Sequence, residues 1–250
     1  MEKEYPWLPY LCAHASVEKC IEISSTKRTA YYLSRTATTM VSPELTSSLE
    51  IGSGVFWTLV YLLIIRLGFR EKTYGMPITA LCANISWEFI FSFMIPHNPP
   101  QNYINVVWFA FDLVIVFQTL RFGRAAFERE GLFYPAFFLG LVTSFGAILA
   151  ITYEFKDWDG KYSAFGQNLM MSVLFIAMLL QRRDVSGQSV YIAIFKLSGT
   201  LLPSILFYLR FPASVLLNFL YVSIFIFDVI YLIMLYEKHR ELGINPWKRF

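Results

Sequence analysis

No sustained apolar period runs through residues 1 to 50, where Ser and Thr crowd the stretch from Ser24 to Ser48. That segment reads as a loose polar tail with one short amphipathic turn around Trp7 to Cys12. Beyond it, apolar stretches recur at 51–67, 76–95, 104–122, 132–151, 164–181, 189–209 and 213–236. Each is near the ~20 residues with which a helix crosses ~30 Å of hydrocarbon. Backbone polarity forbids an exposed non-helical crossing. The pattern therefore predicts an all-α membrane protein, a bundle of about seven transmembrane helices over residues 51–240, followed by a short tail at 241–250. The first and fifth stretches are the shortest, so a re-entrant segment would reduce the count to six. Gly75 and Pro77 open the second span, Pro96, Pro99 and Pro100 follow it, and Pro212 precedes the seventh. Pro203 inside the sixth predicts a kink.

Composition agrees with lipid as the solvent: 56% of residues are hydrophobic and 16% charged, where a soluble domain carries about a quarter charged. A net charge of +3 with no Lys- and Arg-rich readout segment sets nucleic acid aside as a partner. Cys12, Cys20 and Cys82 lack metal-ligand spacing, so neither a disulfide framework nor a metal site is expected. Orientation follows from the loops. The first, third and fifth loops and the C-terminal tail carry twelve Lys and Arg against three in the others, which predicts a lumenal N-terminus and a cytosolic C-terminus. The first span is expected to serve as the targeting signal. No fixed-period internal repeat is visible, which lowers the weight of transporter folds built from duplicated halves.

Four ionisable residues fall well inside spans: Glu88, Asp112, Lys196 and Asp228. Each costs about 2.5 to 3.5 kcal/mol at bilayer depth, so each needs a partner, a wet cavity or a function. At 1.5 Å per helical residue, Glu88 and Asp112 lie roughly 10 and 12 Å from the lumenal ends of their spans and could share a cavity. Lys196 and Asp228 both lie roughly 11 to 12 Å from the cytosolic ends and could pair as a structural bridge. No basic residue is expected at the depth of Glu88, and a carboxyl taken out of water without a cation keeps its proton. Trp87, Phe89, Phe91, Phe93, Trp108, Phe109 and Phe111 flank these two acids. Most such rings are membrane packing, but ring faces also tolerate positive charge without acting as bases. Proton-donating carboxyls among aromatics describe a carbocation site.

Two segments, Lys72-Thr73-Tyr74-Gly75-Met76-Pro77 and Leu81-Cys82-Ala83-Asn84-Ile85-Ser86-Trp87-Glu88-Phe89, closely resemble the fungal integral-membrane terpene cyclases of the pyripyropene-cyclase type, which serve meroterpenoid and indole-diterpene pathways. The likeness continues through Asn105 to Asp112 and Leu120-Arg121-Phe122-Gly123, and returns at Phe227-Asp228-Val229-Ile230-Tyr231. It spans roughly residues 50 to 240. The resemblance implies an enzyme without metal or other cofactor that protonates the terminal epoxide of a prenylated, epoxyfarnesyl polyketide or aromatic substrate and starts a cascade of ring closures. It places the two catalytic acids on Glu88 and Asp228, with Asn84, Trp87, Trp108, Asp112 and Tyr231 expected at the substrate cavity. Expected partners are that lipophilic epoxyprenyl small molecule and membrane lipid, with no obligate protein partner. The expected location is the endoplasmic reticulum, as a multi-pass protein.

No Asp-rich diphosphate-binding motif occurs, and Asp157-Trp158-Asp159 lies beside Lys156 and Lys161 as a solvated charge cluster would. A proton-coupled small-molecule transporter using the same acids is the alternative from another class, and a seven-helix receptor stands below it for want of paired extracellular cysteines.

Overall fold

The computed structural model describes residues 41–124 and 129–250, and every regular element among them is helical. Residues 1–40, including the turn expected around Trp7 to Cys12, lie outside the described residues. The helices are α1 (Pro43–Glu71), α2 (Ile78–Phe89), α3 (Gln101–Phe122), α4 (Phe133–Glu154), α5 (Lys161–Gln181), α6 (Val190–Arg210) and α7 (Val215–Glu241). All but α2 are long and apolar enough to cross a membrane. α2 runs on into a π-helical turn, Ile90–Met94, and matches the expected second span.

α1 departs from the sequence pattern. It is 29 residues long rather than one of the shortest, and starts inside the segment expected as polar tail. Ser42 caps it, its hydroxyl accepting from the Leu45 amide at 3.2 Å, and Pro43 fills the first turn where no amide partner is needed. Polar residues of its first turns face inward, Thr46, Ser47, Glu50 and Ser53 lining an internal cavity, which is why an apolar run begins only later. Ser189 and Ser214 cap α6 and α7 similarly.

Six helices close a ring in the order α1, α6, α7, α5, α2, α3, with α4 outside against α2 and α5. Close approaches are made through small residues. Gly199 on α6 takes the Trp57 ring of α1 so tightly that a Cβ there would lie 2.8 Å from the ring, and the Ser53 hydroxyl donates to the Gly199 carbonyl at 2.7 Å. Pro203 sits inside α6 and faces the space enclosed by the ring. At the opposite end, the Arg249 guanidinium bonds Glu71 at 2.6 Å and the carbonyls of Val185 and Gln188, tying the C-terminal segment to the end of α1 and to the α5–α6 connection.

Candidate active site

The ring encloses a cavity of ≈ 540 Å³, walled by α1, α2, α5 and α6 with Trp108 from α3. That volume is in the roughly 300 to 1,000 Å³ range of small-molecule sites. Its deep end holds Trp57, Tyr61, Asn84, Glu88, Trp108, Asn168 and Met171. Its other end, built from helix termini and connections, is polar: Glu50, His97, Gln101, Asp159, Lys161 and Arg210. Here Arg210 bonds Glu50 at 3.7 Å, and Lys161 bonds Asp157 at 2.9 Å.

Glu88 is only 1% exposed and sits in the last turn of α2, before the π-helical turn. Its Oε1 accepts from the Tyr61 hydroxyl at 2.5 Å and from Asn84 Nδ2 at 2.9 Å. Asn84 lies one turn before Glu88 and so shares its helix face. Its amide also reaches the Tyr61 oxygen at 2.5 Å and Asp112 Oδ2 at 2.9 Å, so two N–H hydrogens serve three acceptors. Glu88 Oε2 receives no hydrogen bond from an N–H or O–H donor among the described residues, and the Asp112 carboxyl lies within hydrogen-bonding reach of the Glu88 carboxyl. No ion pair among the described residues reaches Glu88 or Asp112.

The expected residues separate into groups. Asn84, Trp87, Glu88 and Trp108 line the cavity. Asp112 is not in the lining and stands directly behind Asn84. Asp228 is also outside the lining, bonded through Oδ1 to Lys196 Nζ at 2.6 Å, the pairing that equal depth had suggested. Tyr231 lies beyond it, its hydroxyl donating to Gln188 at 3.1 Å, away from the cavity. Glu88 and Asp228 therefore do not meet at one wall. The aromatics divide as well: Trp87 and Trp108 face the cavity, whereas Phe89 and Phe93 are exposed on the bundle's outer face with Phe109 packed on both. Sequence reasoning missed Tyr61 and Trp57, which lie four residues apart on α1 and carry ring contacts of 6.3 Å to each other and 6.2 Å from Tyr61 to Trp108.

His97 braces the polar end. The Asn105 carbonyl oxygen accepts from Gln101 at 2.7 Å, so its amide nitrogen donates to His97 Nδ1 at 2.9 Å, leaving Nε2–H to donate to the Asp159 carbonyl at 3.2 Å. Burial holds the imidazole below the ordinary histidine range, against the opposing pull of the Asp159 carbonyl and of the Asp159 and Asp157 charges. Trp87 Nε1 donates to the Gly160 carbonyl at 3.1 Å, tying α2 to the α4–α5 connection that carries Asp159. Among the described residues, no group of three or more His, Cys, Asp or Glu side chains is placed to hold a metal ion.

A helical membrane bundle that encloses an aromatic cavity with a hydrogen-bonded carboxyl at its deep end has the form of a small-molecule site. Residues 37–241 match the family model of the Pyr4-like transmembrane terpene cyclases, and the chain belongs to that family. It is 34% identical over 191 residues to the Pyr4-family terpene cyclase mfmH of Annulohypoxylon moriforme, covering 72% of this chain and 78% of that one. It is 25% identical to asnovolin H synthase nvfL of Aspergillus novofumigatus, covering 71% and 76%. It is 28% identical to terpene cyclase macJ of Penicillium terrestre, covering 63% and 64%. No solved structure matches the chain. The family settles the choice between enzyme and transporter for the enzyme: this is an integral membrane terpene cyclase.

Proposed function

We propose that protonated Glu88 opens the terminal epoxide of an epoxyfarnesyl polyketide or aromatic substrate and so starts a cationic polycyclisation that needs no metal. The observation that carries this reading is the split of the Glu88 carboxyl, with Oε1 held by the Tyr61 and Asn84 donors and Oε2 receiving no hydrogen bond from a donor. The Oε2 proton moves to the epoxide oxygen, which becomes a hydroxyl as its carbon–oxygen bond breaks and the neighbouring alkene attacks that carbon. Concerted bond formation lets a weak acid suffice. The hydrogen bonds to Oε1 stabilise the carboxylate left behind, in the manner of preorganised donors aimed at developing charge. Positive charge passes along the chain beside the rings of Trp57, Tyr61 and Trp108, until a carbon loses a proton or an internal oxygen closes the last ring. The prenyl terminus points to Glu88 and the head group to the polar end of the cavity. The protein resides in the endoplasmic reticulum with that polar end toward the lumen.

The test supplies an epoxidised farnesyl aromatic substrate to microsomes containing the parent or Glu88→Gln. Loss of a positioned general acid is expected to slow cyclisation by roughly 10²- to 10⁴-fold. A Glu88→Gln protein that cyclises at the parental rate overturns the assignment.

A further inference from the structure

Behind the cavity lies a charged group that the proposed chemistry leaves unused. Lys196 of α6 is completely buried, and its ammonium donates to Asp228 Oδ1 of α7 at 2.6 Å, to Ser172 Oγ at 2.7 Å and to Asn168 Oδ1 at 3.3 Å. Three hydrogens thus meet three acceptors, the full capacity of the group. Asn168 belongs to the cavity wall, whereas Lys196 and Asp228 do not. The Asn168 amide is held at both ends, its oxygen by Lys196 and its nitrogen donating to Thr200 Oγ1 at 3.0 Å. An ammonium stands one side chain behind a wall along which a carbocation must travel. In a medium of low dielectric an uncancelled charge at that range opposes the cation strongly, while a charge paired at contact leaves only a short dipole. We propose that Asp228 is a positioning residue: it cancels the Lys196 charge and, through Lys196, fixes the Asn168 amide on the cavity wall, without itself touching substrate. The proposal rests on the reading that Glu88 is the proton donor, and it assigns the carboxyl at 228 a purpose different from acid catalysis.

If neutrality of the pair is what matters, the carboxyl becomes dispensable once the ammonium is gone, since buried ion pairs exchange well for matched neutral groups while half a pair does not. In microsomes with the same epoxide substrate, Asp228→Asn is expected to lower kcat by about a hundredfold or more with KM nearly unchanged, because an unpaired buried cation remains. The double variants Asp228→Leu with Lys196→Met, and Asp228→Asn with Lys196→Gln, are expected to regain kcat to within about tenfold of the parent. Folded protein is quantified for each by size-exclusion chromatography in detergent. Folded double variants as inactive as Asp228→Asn overturn the proposal, and so does failure of both doubles to accumulate, which would make the carboxyl a requirement of folding. Glu88→Gln runs beside them: if it stays active, the donor assignment fails, whereas inactive doubles beside an inactive Glu88→Gln indict the neutralisation alone.

Discussion

Replacing Tyr61 by Phe isolates the support given to the proposed donor. The substitution deletes one hydroxyl, which donates to Glu88 Oε1 and accepts from Asn84, both at 2.5 Å, and it retains the ring contacts to Trp108 and Phe111 at 6.2 and 6.0 Å. In the proposed mechanism Glu88 starts as a neutral carboxyl, and such a hydrogen bond is worth about 0.5 to 1.5 kcal/mol. As the proton leaves, Oε1 gains negative charge and the same bond rises to about 1.5 to 3 kcal/mol. The transition state therefore loses about 1 to 2 kcal/mol more than the ground state. At 1.36 kcal/mol per factor of ten, kcat is expected to fall roughly 5- to 30-fold, with KM little changed because ground-state binding of substrate is not touched. The assay is a time course of cyclisation by Tyr61→Phe microsomes, normalised to folded protein and run across substrate concentrations. A kcat within about twofold of the parent would refute the role given to the hydroxyl. A loss beyond about 10⁴-fold in folded protein would refute it differently, by making Tyr61 itself the donor.

Two further outcomes follow from the walls of the same cavity. Burial keeps the proton affinity of His97 in the folded protein below the ordinary value near 6.5. Below about pH 6.5 the unfolded chain therefore binds a proton that the folded chain refuses, and stability falls with pH through the window beneath that value. Thermal melts in detergent between about pH 7.5 and 5 should show the slope in the parent and a flatter one in His97→Gln; identical slopes would remove His97 as its source. Gly199→Ala adds a Cβ at 2.8 Å from Trp57 Cδ1 and 3.3 Å from Phe56 Cβ, an overpacking worth about 1 to 3 kcal/mol that either spreads α1 from α6 or drives the Trp57 ring into the cavity. A lowered melting point together with an altered product profile is expected, and an unchanged profile at full stability would show that the wall gives way elsewhere.

Much of the fold was legible because lipid imposes a length. Once backbone polarity excludes non-helical crossings, each apolar run dictates one helix, and the boundaries from α2 onward fall near those drawn from the sequence. α1 escaped the same logic because one face of its first turns lines a cavity, so Thr46, Ser47 and Glu50 resemble a tail in a reading that counts only apolar residues. The structure reconciles them with a helix through the Ser42 cap and through Arg210, which bonds both Thr46 and Glu50 from the far end of α6.

For the site, the limiting quantity was rotation about each helix axis. Rise per residue gives depth, and depth alone paired Lys196 with Asp228, now seen in direct contact, and set Asp112 beside Glu88, now seen bridged by Asn84. The direction a side chain takes around the axis is read from amphipathic periodicity, and a helix that is apolar on every side carries little of it. Hence Asp228 and Glu88, two acids inside the same bundle, could not be told apart by the space they face. Tyr61 was hidden for the same reason, as one more aromatic in the run Leu59 to Ile65. A local relation is independent of that rotation: Asn84 and Glu88, four residues apart, share a face whatever the rotation of α2. That pair became the centre of the site, and the side chains from α1 and α3 that complete it became assignable only when the ring of helices fixed which faces look inward.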